Sequence, residues 1–167
     1  MKVKRLTIDA LLAAAALTIF AVEARFPSIV PIPGVKLGLA NIVTVWALFT
    51  LGPADAAAIL FVRIVLGSVF CGSVTTLIYS VAGGALCFAV SLLMRKIVTE
   101  RQIWVVSVVG AMAHNIGQLI AATVVMHSFA IWAYAPVLLL SGMTAGLITG
   151  LAAQLLYQRL KDSRLLK

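Results

Sequence analysis

The chain has 167 residues, 63% hydrophobic and only 11% charged, with 13 lysines and arginines against 5 acids. Soluble domains are roughly 45–50% apolar and about 25% charged, so this composition excludes a soluble enzyme or binding module and defines an all-α integral membrane protein, a single transmembrane domain over residues 1–167. The net charge of +8 does not require nucleic acid, because the basic residues fall where topology signals and contact with anionic membrane lipid place them.

A helix needs roughly 20 apolar residues to cross the hydrocarbon core, and the apolar runs predict about six spans: Leu6 to Ala24, Leu37 to Leu51, Ala54 to Phe70, Ser73 to Met94, Ile103 to Met126 and Ile131 to Tyr157. The first run follows Lys2, Lys4 and Arg5, as a secretory signal would. It is long, however, contains Asp9, and meets Glu23 and Arg25 where a small-residue cleavage site should stand, so it reads as a retained helix.

The next stretch, RFPSIVPIPGVKLGLANIV, breaks the pattern. Pro27, Pro31 and Pro33 forbid a continuous helix, Gly34 turns the chain, and Lys36 to Asn41 lead into span two. Irregular backbone at this level is tolerated only under protein cover or along a cavity. Two readings fit equally: a lid over an outward-facing pocket, built on Pro31, Pro33 and Gly34 with Lys36 and the first N–H groups of span two offered to an anion, or an ordinary loop with a snorkelling lysine.

Span three carries Arg63 near its centre, where an arginine costs at least roughly 2.5–3.5 kcal/mol to insert. It must face protein or a wet cavity. A buried ion pair with Glu23 or Asp55, carbonyl capping, and an anionic substrate group are all compatible with it. Asn41 and Thr44 belong to the outer part of span two, and Thr75, Thr76 and Tyr79 to the outer part of span four. Span five places Ser107, Ala111, His114 and Gln118 on one helical face, with Asn115 beside them. Such groups serve either as interhelical hydrogen bonders or as ligand contacts. His127 reads as interfacial. In span six, near Ser141 and Thr144, Gly142, Gly146 and Gly150 recur every four residues, a groove for close helix packing inside the protein. Cys71 and Cys87 have neither metal-ligand spacing nor positions suited to a disulfide.

Basic residues cluster at the N-terminus (Lys2, Lys4, Arg5), between spans four and five (Arg95, Lys96, Arg101) and at the C-terminus (Arg159, Lys161, Arg164, Lys167). Six spans put all three on one side, which the positive-inside rule makes cytoplasmic, leaving Arg25 and Lys36 opposite.

The motifs PGVKLGLANIV, RIVLGSVFCG, SVAGG and GAMAHNIGQLI resemble the Gx transporter family, whose members are often named heptaprenyl diphosphate synthase component I. The resemblance covers most of the chain. It implies a six-helix bundle similar to the substrate-binding S components of energy-coupling-factor vitamin transporters, in the bacterial cytoplasmic (inner) membrane. It further implies movement of a small molecule, with flavin supply to extracytosolic redox proteins a role proposed for some relatives. Flavin (riboflavin, FMN or FAD) would then be a transported ligand rather than a covalent cofactor. The substrate-binding candidates are Lys36, Asn41, Arg63, Thr76, Tyr79, His114, Asn115 and Gln118.

Catalytic prenyl transfer would need clustered carboxylates to hold magnesium on a diphosphate. The acids here, Asp9, Glu23, Asp55, Glu100 and Asp162, are scattered, which argues against an enzyme and against a metal site. There is no G-x-x-x-x-G-K-[ST] phosphate loop, so ATP-driven transport would need an energising ATPase module or second membrane subunit. The alternative is a non-catalytic membrane partner of an isoprenoid or redox enzyme. A proton-coupled carrier is disfavoured by the scarcity of membrane carboxylates, since only Asp9, Glu23 and Asp55 lie near spans and all three are at ends.

Overall fold

The computed structural model describes residues 2–25, 38–71 and 74–161. Six α-helices run through them: α1 (Lys2–Glu23), α2 (Asn41–Thr50), α3 (Pro53–Cys71), α4 (Val74–Arg95), α5 (Ile103–Met126) and α6 (Ala135–Lys161), with short 3₁₀ turns at Glu100–Gln102 and Phe129–Tyr134. There is no strand among the described residues. Five of the helices are long and apolar enough to cross a membrane.

Local chemistry sets several helix ends. Pro53 opens α3, where its missing N–H costs nothing, and Asp55 lies in the first turn, where a carboxylate complements the helix dipole. At the end of α5, His127 adopts the left-handed conformation (φ 50°) that stops the helix. The following turn exposes Phe129, Trp132 and Tyr134, an aromatic cluster of the kind found at membrane interfaces. The Trp132 indole N–H donates to Thr123 Oγ1 at 3.0 Å.

The span expected from Leu37 to Leu51 is corrected. The helix there covers only Asn41–Thr50, 10 residues, or about 15 Å against a hydrocarbon core of about 30 Å. It is an inner half-helix enclosed by the others, with Asn41, Val43, Thr44, Val45, Trp46, Ala47 and Leu48 buried. Its depth has a physical reason. Gly38 sits at φ +78° and starts a tight turn in which the Asn41 N–H donates to the Gly38 carbonyl. The N–H groups of Gly38 and Leu39, which no helical carbonyl can satisfy, donate to the two carboxylate oxygens of Glu23 at 2.6 and 2.9 Å. Without such partners a helix start inside the apolar layer would leave costly open donors.

One end of the bundle collects the beginnings of α1, α3 and α5 and the endings of α2, α4 and α6. Arg5 Nε donates to Asp55 at 2.8 Å and Arg5 Nη2 to the Leu51 carbonyl at 3.2 Å. Trp46, Ile103 and Tyr157 pack in one apolar cluster there, and Pro53 shares a groove with Arg95 and Lys96. The described ends of the chain therefore share a face with Arg5, Arg95 and Lys96.

Helices α4, α5 and α6 pack through small residues. A Cβ on Gly117 would lie 2.6 Å from the Ala82 carbonyl oxygen, one on Gly146 would lie 2.8 Å from Val108 Cα, and one on Gly150 would lie 2.7 Å from Trp104 Cα. The glycine row of α6 thus seats α5, and the backbones approach as only small residues permit. Helix α1 is peripheral, packing chiefly on α3 and α2, with Phe20 lying over Gly67.

Candidate functional site

At the level where α2 begins, five elements converge on polar side chains. Helix α1 contributes Phe20 and Glu23, the turn before α2 contributes Gly38, α3 contributes Arg63, α4 contributes Ser80, and α5 contributes His114 and Gln118. They enclose a cavity of about 10 Å³, room for one water molecule.

Arg63 is the charge at the centre of this layer. It is 3% exposed, and its Nη1 donates to Asn41 Oδ1 at 3.1 Å. Glu23, also buried, lines the same cavity. Asp55, the other expected partner, is committed to Arg5 at the far end of α3. An arginine at this depth is held by protein groups because lipid offers it none.

Polar atoms in this layer outnumber their protein partners. Arg63 Nε, Asn41 Nδ2 and Gln118 Oε1 are buried without a hydrogen bond from the protein. Buried polar groups are ordinarily satisfied, since each open donor or acceptor costs about 1–3 kcal/mol. Of the three residues, Arg63 and Gln118 line the cavity, where a bound molecule or a water can meet them; Thr44 Oγ1, Trp46 Nε1, Ser91 Oγ and Asn115 Oδ1 are open away from it. The layer holds one cation, Arg63, one carboxylate, Glu23, and the hydrogen-bonding groups of Ser80, His114 and Gln118. Among the described residues no group of His, Cys, Asp and Glu could hold a metal ion.

The polar face of α5 divides between two neighbours. His114 and Gln118 line the cavity, where the imidazole lies between Gly38 and Gly83, either of which would crowd it with a Cβ at 3.3 and 2.9 Å. Ser107 shares a 3.1 Å hydrogen bond with Thr149 of α6. Asn115 turns the same way, its Nδ2 donating to the Leu138 carbonyl at 2.5 Å, and a Cβ on Gly142 would strike that nitrogen. Tyr79 is buried with Leu119, Ala121, Ala122, Ile131 and Leu138, an apolar cluster. Thr76 is buried near the start of α4, outside the cavity lining. Lys36 and the lid residues Pro31, Pro33 and Gly34 lie outside the described residues. Sequence reasoning missed Phe20 and Ser80 as lining residues. Phe20 stands one turn before Glu23, and Ser80 directly follows Tyr79, but neither carries a charge or motif that would single it out.

A helical, multi-pass membrane protein with a buried polar layer where the end of α1 and the start of α2 meet α3, α4 and α5 is the class these features define. The family model for heptaprenyl diphosphate synthase component I matches residues 12–156, from α1 into α6 and through every cavity residue. The chain belongs to that family. Comparison with curated proteins and with solved structures finds no match in either.

Proposed function

We propose that this chain is the substrate-binding subunit of a transport system in the bacterial cytoplasmic membrane, and that its ligand is a small molecule with an anionic group. The observation that carries this reading is the cavity lined by Arg63, His114 and Gln118, each with a buried polar atom that no protein group partners, with Asn41 bonded to Arg63 beside it. Arg63 would pair with a phosphate or carboxylate, and His114 and Gln118 would hydrogen-bond a heteroaromatic head. Flavins are the first ligands to test, on the strength of the family resemblance. The cavity as described holds one water, so a ligand of that size binds an opened form in which α1, the least enclosed helix, moves from α3. ATP hydrolysis, where transport uses it, falls to a separate module.

The family name favours a second reading, a non-catalytic membrane component of a heptaprenyl diphosphate synthase. The two separate on one preparation. Protein purified in mild detergent is examined by absorbance and by mass spectrometry of whatever co-purifies, and its thermal unfolding is followed with riboflavin, FMN, FAD and short prenyl diphosphates. A yellow preparation, or a flavin-induced stabilisation lost in Arg63→Ala, supports transport. Stabilisation by prenyl diphosphates alone supports the synthase component, and no response to any ligand counts against a binding subunit.

A further inference from the structure

The hydrogen bonds of Glu23 have the form of a ligand contact rather than of ordinary helix packing. Both of its carboxylate oxygens are engaged, one by the Gly38 N–H and one by the Leu39 N–H, the fork with which consecutive backbone donors at a helix start hold a carboxylate or phosphate. The donors introduce α2, a helix of 10 residues whose dipole adds positive potential at this end. Arg63 is 3% exposed, lines the same cavity, and leaves Nε without a partner. Gly38 adds a backbone cradle. A Cβ there would meet Asn41 Nδ2 at 3.1 Å and His114 Cδ2 at 3.3 Å, so glycine lets the backbone donors reach the cavity.

We infer that the Gly38 and Leu39 N–H groups together with Arg63 form a subsite for the anionic group of the ligand, and that Glu23 occupies this subsite as a built-in stand-in until the ligand displaces it. The inference rests on the transport reading and deepens it by naming the anchoring group, a phosphate or carboxylate. It also links binding to movement. Glu23 is the last residue of α1, so an anion that takes its place breaks a direct tie between α1 and the start of α2. The resident carboxylate keeps the donors satisfied in the empty protein and sets a threshold that neutral molecules do not cross.

The test compares wild type with Glu23→Gln, which keeps a hydrogen-bonding group of the same shape and removes the competing charge. Thermal unfolding in detergent at low salt is followed against pyrophosphate, FMN and riboflavin. Glu23→Gln is expected to reach half-maximal stabilisation at roughly tenfold lower pyrophosphate and FMN than wild type, the scale of one charge-assisted contact, with the response to neutral riboflavin unmoved. Adding Arg63→Gln to that variant is expected to abolish the gain. Equal pyrophosphate and FMN responses in wild type and Glu23→Gln, or a gain that survives Arg63→Gln, would overturn the inference. Should Glu23→Gln fail to fold, Glu23→Asp, whose carboxylate is drawn back by one methylene, is expected to respond at lower anion concentration than wild type, and an unchanged response overturns the inference equally. A pyrophosphate gain in Glu23→Gln with no response to any flavin upholds the subsite while removing flavin as the ligand.

Discussion

The two sides of the bundle are held together by different means. Helices α4, α5 and α6 meet through glycines set against backbone, and two hydrogen bonds cross the α5–α6 seam, Ser107 with Thr149 and Asn115 with the Leu138 carbonyl. Helices α1, α2 and α3 meet around charges: Arg5 with Asp55 at one end, and Glu23, Arg63 and Asn41 at the level of the cavity. In the first region backbone contact at the glycines holds the seams, and open atoms such as Ser91 Oγ and Asn115 Oδ1 lie away from the cavity. In the second, Arg63 Nε is open at the cavity itself, where α5 adds the open Gln118 Oε1. The difference separates scaffold from site, because a packed seam resists change whereas an incompletely satisfied polar layer can accept a ligand and rearrange around it.

Substitutions on the two sides should therefore fail in different ways. The largest effect is expected from Arg63→Ala, which removes the buried cation: affinity for an anionic ligand should fall about 100-fold or more, in line with roughly 2–5 kcal/mol for one member of a buried charged contact, while folded protein is still recovered. Equilibrium flavin titration by fluorescence quenching measures this. Gly146→Leu forces a side chain into Val108 and Ser107 of α5 and should cost about 1–3 kcal/mol of stability, seen as a lower unfolding midpoint in detergent with ligand affinity preserved in the folded fraction. Asn115→Ala removes the bond to Leu138 and should lower stability by about 0.6–1.7 kcal/mol, again without weakening binding. The smallest effect belongs to Asp55→Asn. Its partner Arg5 is 59% exposed, so the loss should stay under about 1 kcal/mol and shrink further with added salt. A large binding defect from Asn115→Ala, or a large stability loss from Asp55→Asn, would erase the division between the two regions.

Much of the scaffold was legible in the sequence. Long apolar runs set the five full-length helices to within a few residues because lipid imposes their length, and the four-residue glycine spacing of α6 marks a face whatever packs on it. The half-helix α2 was less legible. Apolar composition from Leu37 to Leu51 reads the same whether the helix begins at the surface or at mid-depth, and what sets its start is a contact between Glu23 and residues 38 and 39 that no local pattern encodes. The polar layer was visible in part. The polar face of α5 pointed to His114, Gln118 and Asn115 together, but periodicity gives a face and not its neighbours, so the turning of Asn115 towards α6 emerged only in three dimensions. Arg63 drew attention by its cost at that depth. Of its two candidate partners, Glu23 and Asp55, sequence could not choose, and the structure commits Asp55 to Arg5.

The adjacent pair His114 and Asn115 offers the most direct measurement. Single cysteines placed at 114 and at 115, in a background without Cys71 and Cys87, are exposed in membrane vesicles to an impermeant thiol reagent added from the side where α1 ends, with and without ligand. Because the closed cavity admits only a water, reaction at 114 reports the opened form, and the account predicts slow labelling at 114, protection there by ligand, and little reaction at 115. Equal protection of both positions, or labelling at 115 alone, would contradict it.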